Sequence, residues 1–355
     1  MVGPDDKTVS FLDQNNSVLC ECKYSDENPS FIISPWETEE FSDQEGRGYR
    51  GSMEIIRSTT TASNGLSVVN HLSLETYVSL LLSSEVSANW NEELLKSMAV
   101  LLRTKITKLL GCHQENGFDL CADSHCHVYL GNSIIDPKIV SVVNATAGEI
   151  LTYEGTPIYT PYSIYDGSST ISSADAFNSD IPYLTSIYTP WEPEDFWKVE
   201  FTPYELYQIL SSAGYNDIIG NIESVAVTGR ANGSDYVNEL KITDIFGASV
   251  TIQGSENIRI LFGGKLPSAC FYVGKAGETL VIPKRTITNE LQYNEEQQEI
   301  VLDGTYGNFV FLGSGEGCGV GFSIRGGLAL AGMGIPYEQI LSIYFPGTTL
   351  TNQLE

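Results

Sequence analysis

Residues 70–104 read NHLSLETYVSLLLSSEVSANWNEELLKSMAVLLRT, and the fold is decided there. Leu74, Val78, Leu81 and Leu82 recur at the spacing of one helix face, with Tyr77 beside them. Glu85 falls on the same stripe. A carboxylate continuing an apolar stripe is unusual, because burying a charge is costly. Desolvation raises a carboxyl pKa, and the negative end of a helix dipole raises it further. A carboxyl group that keeps its proton near neutral pH is what a general acid requires. Glu85 is therefore the candidate catalytic acid, expected to titrate above its ordinary range; the alternative is a side chain that turns outward as the helix ends. Asn89-Trp90-Asn91-Glu92 reads as the next helix start, with Asn89 as the cap. Leu94, Leu95, Met98, Ala99, Leu101 and Leu102 then supply the apolar face of a second, longer helix.

Outward from this stretch the chain changes character. Residues 1–46 are polar and acidic, with short apolar pieces at Val18-Leu19 and Phe31-Ile32-Ile33 suited to edge strands. Residues 53–57 and 66–69 read as strands joined by a turn at Ser63-Asn64-Gly65. Beyond Tyr129 most of the chain reads as strands, including residues 149–153, 156–159, 222–228, 239–243 and 249–253, with a helix at 203–213. Residues 289–299 read as a polar, acidic loop, and helices follow at 326–333 and 337–342. The fold class expected is α+β, largely β, with a helical segment carrying the catalytic Glu. The expected organisation is an acidic, partly ordered segment over 1–46 and one domain over 47–350, built of two packed subdomains split near 190.

The chain has 355 residues, 19 Lys+Arg and 45 Asp+Glu, for a formal net charge of −26. Such a charge argues against nucleic acid or an anionic membrane surface as the main partner, since both need basic patches. It suits a neutral or cationic ligand, or simple solubility. No run of about 18 apolar residues is present to span a bilayer, and no signal peptide is visible.

Seven cysteines, an odd number, do not make a complete disulfide framework. Cys112-His113, Cys121 and His125-Cys126-His127 crowd into one short stretch. Thiolate and imidazole together suit zinc better than hard cations; the rival reading is one local disulfide plus surface histidines. The glycine-rich run from Gly313 to Gly321 matches neither a dinucleotide nor a P-loop fingerprint. Its plainer meaning is close approach of backbone to a ligand or a strand.

These places fall in register with one family. Residues 70–78, 84–90, 93–100 and Arg103-Thr104 resemble N-x-L-x-L-E-x-Y-L, P-x-E-M-P-x-x-W and E-A-L-K-A-Q-A-V-x-A-R-T-Y. Residues 123–131 resemble D-x-x-x-C-Q-V-Y-x-G, residues 146–153 resemble T-x-G-x-V-L-x-Y, and residues 163–170 resemble S-x-S-x-G-G-x-T. Residues 182–184 match P-Y-L, residues 315–327 resemble G-x-G-H-G-V-G-M-S-Q-x-G-A, and residues 337–348 resemble Y-x-x-I-L-x-x-Y-Y-P-G-T. The ordered series, from about Arg47 to Thr348, resembles the stage II sporulation protein D family of peptidoglycan lytic transglycosylases and amidase enhancers.

The resemblance implies cleavage of the MurNAc–GlcNAc bond of glycan strands lacking stem peptides, without water, leaving 1,6-anhydro-MurNAc ends during engulfment. Glu85 would be the catalytic residue. That chemistry needs no second carboxylate at hydrolase spacing. A groove with Glu85 at its bottom would be lined by Arg103, Tyr129, Ser163, Gly167, Ser168, Thr170, Gly317, Cys318 and Ser323. Zinc, in a structural role, would be held by His113, Cys121, His125 and Cys126, with Cys112 competing with His113. The implied partners are glycan strands and a peptidoglycan amidase such as stage II sporulation protein P, and not nucleic acid. The implied location is extracytoplasmic, membrane-anchored in the full-length protein, at the cell surface or in the intermembrane space of a sporulating cell. Five positions depart from the pattern: Cys318 stands for His, Ile324 for Gln, Lys105 for Tyr, His127 for Gln, and Asp166 for one Gly of the pair. These departures open the alternative of a non-catalytic glycan-binding relative or amidase enhancer.

Overall fold

The computed structural model describes residues 8–12, 17–23, 30–34, 40–43, 45–57, 66–131, 135–192, 195–215, 217–218, 220–287 and 293–353. Eight α-helices lie among them: α1 Leu74–Glu85, α2 Glu92–Leu109, α3 Pro137–Ala145, α4 Ser173–Phe177, α5 Pro203–Ser212, α6 Ser255–Leu261, α7 Ile324–Gly332 and α8 Tyr337–Tyr344. Small sheets of two or three strands surround them, and the α+β expectation holds.

The helical segment forms as its periodicity dictates. Ser73 caps α1 by accepting from the Thr76 amide at 3.2 Å, and Val78, Leu81 and Leu82 are buried. Glu85 is the last residue of α1, before Val86 turns to extended backbone. The cap of α2 is Asn91, not Asn89: its Oδ1 accepts from the Glu93 amide at 2.9 Å. The Trp90 amide instead donates to the Ser87 carbonyl at 3.0 Å, a turn that delays the helix by two residues. Leu94, Leu95 and the run Met98–Leu102 are wholly buried, so α2 is surrounded by core rather than lying on it.

Two apolar clusters organise the chain. The first gathers α1, α2, α3, α7 and α8 with Leu151, Phe322 and Phe345. The second joins Phe201, Phe262, Phe271, Phe309 and Phe311 with α5 and the sheet of Ile222–Arg230, Val237–Asp244 and Ser249–Gln253. Phe311 stands at its centre, with the rings of Phe201, Phe262 and Phe271 at 5.2–5.4 Å, the spacing of tilted and edge-on aromatic contacts.

Several expectations are corrected by pairing that the local sequence does not show. The acidic stretch read as a loop is from Tyr293 onward a strand, Tyr293–Val301, paired antiparallel with Thr279–Ile287. The two strands pair from Thr279↔Val301 to Ile287↔Tyr293, and backbone pairing of this kind does not require apolar residues. The strand expected at 156–159 is only Thr156–Pro157. Helices α3, α4 and α6 stand in a region read as strands. The Phe31-Ile32-Ile33 piece does lie in an edge strand, Ser30–Ile33, against Ser52–Arg57. The turn at 63–65 and residues 289–292 lie outside the described residues. Among the described residues no helix is long and apolar enough to cross a membrane.

Candidate active site and metal centre

Glu85 sits where three segments meet. Its Oε1 lies 3.3 Å from His127 Nε2, and its side chain is 31% exposed. The Tyr162 hydroxyl also donates to it. Behind His127, the Nζ of Lys105 on α2 lies 3.2 Å from His127 Nδ1. The expected elevation of the Glu85 pKa is not found. The His127 hydrogen bond, then the fields of His127 and Lys105 and the Tyr162 bond, outweigh desolvation and hold Glu85 below its ordinary 4.5. Donors aimed at a carboxylate favour its charged form. The free carboxyl is thus an anion at neutral pH. Burial raises the Tyr162 pKa and lowers that of Lys105.

Tyr162 belongs to a two-residue strand running parallel to Phe322–Ser323, in the register Tyr162↔Phe322 and Ser163↔Ser323. That pairing brings together several of the expected groove residues. Ser163 Oγ accepts from the Gly319 amide at 2.9 Å and lies 3.8 Å from Cys318 Sγ. Gly317 has φ +121°, and a Cβ there would meet Ser163 Oγ at 2.7 Å, so only glycine fits. Burial pushes the Cys318 thiol pKa up, away from thiolate reactivity. Gly167 and Ser168 both have positive φ, +78° and +95°. The two backbone positions that favour glycine are therefore 167 and 168; Ser168, not Asp166, occupies the place of the second Gly.

Asp166 goes inward instead. Its Oδ1 accepts from the Ser168 amide at 3.0 Å and the Thr189 hydroxyl at 2.9 Å. Its carboxyl faces that of Glu192, to which Ser323 also bonds. Burial, then the neighbouring carboxyl, raises the pKa of Glu192, and burial raises that of Asp166. Thr170 is buried and occupied, donating to the Thr185 carbonyl at 3.0 Å and accepting from the Ile187 amide at 2.8 Å. Ser323 is buried as the N-cap of α7.

Arg103 is not a groove residue. Its side chain is 0% exposed and its guanidinium clasps Glu75, with Nη2–Oε2 at 2.7 Å and Nε–Oε1 at 3.0 Å. It also donates to the carbonyls of Val143 and Glu149 at 3.1 Å. The cause is placement on the inner face of α2, where the groups within reach are the Glu75 carboxylate, Val143 and Thr146 at the C-terminal end of α3, and the Glu149 carbonyl. Tyr129 is elsewhere again. Its hydroxyl donates to Asn70 Oδ1 at 2.8 Å and its ring packs edge-on against Tyr49 and Tyr77. It lines a cavity of about 1070 Å³ together with Asn70, Leu110 and Phe118; Glu85 is not part of that lining.

The stretch after α2 folds its Cys and His side chains together. The ligand atoms of His113, Cys121, His125 and Cys126 all lie within 4.8 Å of one another. His125 Nδ1 is 3.2 Å from His113 Nε2, 3.7 Å from Cys121 Sγ and 3.4 Å from Cys126 Sγ. Zinc bonds of about 2.0–2.3 Å in a tetrahedron place ligand atoms roughly 3.3–3.8 Å apart, so the donor set and the three distances from His125 suit zinc. Cys112 stands beside the set, with Sγ 3.3 Å from Cys126 Sγ and donating to the Asp119 carbonyl at 3.4 Å.

Lys105 and Tyr162 are not candidates from sequence, and His127 enters there only as a member of the Cys/His stretch, not as a partner of Glu85. Lys105 and His127 carry a signal, since both depart from the motif pattern; Tyr162 carries none beyond adjacency to Ser163.

Comparison with known proteins places this arrangement. A family model described as stage II sporulation protein matches residues 62–153, the segment holding α1, α2, the Cys/His cluster and the Thr146–Tyr153 motif. The amidase enhancer of Bacillus subtilis (strain 168) is 26% identical over 289 residues, which is 76% of this chain and 39% of that protein. The chain thus spans about two fifths of that relative's length. Stage II sporulation protein D of the same organism is 24% identical over 299 residues, covering 80% of this chain and 76% of that protein. Stage II sporulation protein D of Bacillus amyloliquefaciens is 30% identical over 139 residues, 35% of this chain and 40% of that protein. The chain is similar to the stage II sporulation protein D family, as its ordered motifs implied.

Proposed function

We propose that this protein remodels peptidoglycan in sporulation, as a lytic transglycosylase acting on glycan strands without stem peptides. The observation that supports this most directly is the partly exposed Glu85 carboxyl at the end of α1, held by His127 and Tyr162. In its acid form Glu85 gives a proton to the oxygen between MurNAc C1 and GlcNAc, and the C1–O bond breaks. The MurNAc C6 hydroxyl oxygen bonds to C1, and its proton returns to the Glu85 carboxylate. No water is consumed and the carboxyl group is regenerated, so one carboxyl suffices. The bound strand would have to shield Glu85 from water, because the free carboxyl is an anion.

Zinc would be held by His113, Cys121, His125 and Cys126, with Cys112 adjacent; it would cross-link the loop that carries His127. The proposed partners are glycan strands and a peptidoglycan amidase such as stage II sporulation protein P, in an extracytoplasmic setting. A second reading is a glycan-binding amidase enhancer without turnover. It is favoured by the lowered Glu85 pKa, and one relative bears the name amidase enhancer.

Digestion of stripped glycan strands, with mass spectrometry of the products, separates the two. The transglycosylase reading expects 1,6-anhydro-MurNAc ends from the wild type and at least about 100-fold fewer from Glu85→Ala, the usual scale for loss of an acid–base group. Equal product from both would remove Glu85 as the acid, and none from the wild type with strands still bound would leave the second reading.

A further inference from the structure

Lys105, His127 and Glu85 form a single file. Lys105 comes from α2, His127 from the Cys/His loop and Glu85 from the end of α1, and their polar atoms are spaced 3.2 and 3.3 Å apart. The file has a direction. An ammonium offers only hydrogen-bond donors, so His127 Nδ1 must accept and Nε2–H must point at Glu85. Without Lys105, the other tautomer would set the Nε2 lone pair against the carboxylate, and the ring could turn. His127 is 8% exposed, which leaves water little room to replace the lysine.

The two departures from the motif pattern are in contact here. Where the pattern reads Tyr and Gln, this chain has Lys105 and His127. A tyrosine hydroxyl donating to a glutamine oxygen, with the glutamine amide donating onward, would run in the same direction. Both pairs would end in an N–H aimed at the same carboxyl group. Tyr162 faces Glu85 as well, and Cys126 lies near Lys105.

We propose that Lys105 and His127 act as one positioning unit for Glu85, Lys105 fixing the His127 tautomer so that Nε2–H orients the catalytic carboxyl. The proposal rests on the reading of Glu85 as the catalytic acid. It can be tested in the intact chain through Lys105→Met, His127→Leu, their double variant, Lys105→Tyr/His127→Gln, and Glu85→Gln, each checked for native circular dichroism and metal content. Release of anhydro ends gives kcat and KM, and ¹⁵N NMR of labelled imidazole reads the tautomer directly.

The expected result is an Nε2–H tautomer in the wild type and a mixture in Lys105→Met. Either single disruption lowers kcat by at least about tenfold with KM within twofold, the kind of loss a displaced catalytic group produces. The double disruption is no worse than His127→Leu alone, and Lys105→Tyr/His127→Gln works within about threefold of wild type. An Nδ1–H tautomer in the wild type overturns the proposal whether or not the chain is active. So does an undiminished kcat in Lys105→Met while Glu85→Gln is inactive. Full activity in Glu85→Gln instead removes the reading beneath it.

Discussion

Arg103 shows what a motif residue can be for when it does not touch substrate. Its guanidinium clasps Glu75, and the Gly148 amide donates to the same carboxylate at 3.1 Å. Next to it, Thr104 Oγ accepts from the Leu151 amide at 2.9 Å. Glu75, Arg103, Thr104, Thr146 and Gly148 come from three separate motifs, yet they form one knot tying α1, α2 and α3 to the strand Glu149–Tyr153. The resemblance puts Arg103 in the groove because motif membership does not separate a knot from a site. Arg103→Met removes the fully buried partner of Glu75, whose own side chain is 29% exposed, and stability should fall by about 3 kcal/mol. Arg103→Lys should recover only part, because a point charge cannot replace a two-pronged contact. Urea unfolding measures both. A loss under about 1 kcal/mol, with KM for glycan raised instead, would return Arg103 to the groove.

At the scale of elements, the buried carboxyl pair holds the second wall of the site together. Asp166 anchors the 163–170 turn to Thr189, and Glu192 reaches Ser323 at the start of α7. Gly326 has no side chain because a Cβ there would overlap the Tyr344 hydroxyl and Glu192. The ordinary carboxyl values of 3.8 and 4.5 are pushed up to about 7 for Asp166 and about 9 for Glu192, by burial first. The folded protein keeps these protons over a range where the unfolded chain releases them. The pair's stabilising contribution is therefore full below the unfolded values and drains away as pH rises through the folded ones. Asp166→Asn keeps the oxygen that accepts from Ser168 and Thr189 while removing one acid. Its stability should fall less steeply between pH 5 and 9 and exceed wild type by on the order of 2 kcal/mol at pH 8. Melting temperatures across that range decide it; a slope equal to wild type's would mean the pair is not the source. Helix α3 was among the elements least legible in sequence. α1 and α2 could be read because many apolar positions repeat, whereas α3 is rich in β-branched Ile139, Val140, Val142 and Val143 and resembles a strand. Its signal was the start, Asp136 capping with Pro137 at the first turn. Glu85 was legible from its stripe. Its lowered pKa was not, since the cause lies on His127, brought there by a loop.

That loop sets a condition on the whole molecule. Over residues 110–131 only Cys126 and His127 are buried, and the only helical piece is the 3₁₀ turn Gln114–Asn116. So little apolar burial cannot offset the entropy of ordering 22 residues. A cross-link would supply the difference, and a metal held by His113, Cys121, His125 and Cys126, whose ligand atoms lie within 4.8 Å of one another, is the one proposed. The loop is tied at two further places: His127 to Glu85, and Tyr129 to Asn70 on the strand Leu66–His71. Removing the metal should therefore act at a distance in both directions, releasing the Glu85 partner and loosening the N-terminal sheet. Chelation should lower the melting temperature by about 10 °C, as expected for a few kcal/mol in a domain of this size. Limited proteolysis should then cut first within residues 110–131. Added zinc should restore both, and elemental analysis should find one zinc per chain. A chain without metal whose Cys121 and Cys126 are joined as a disulfide would replace the metal with a covalent link. In that case a reductant, and not a chelator, would free the loop.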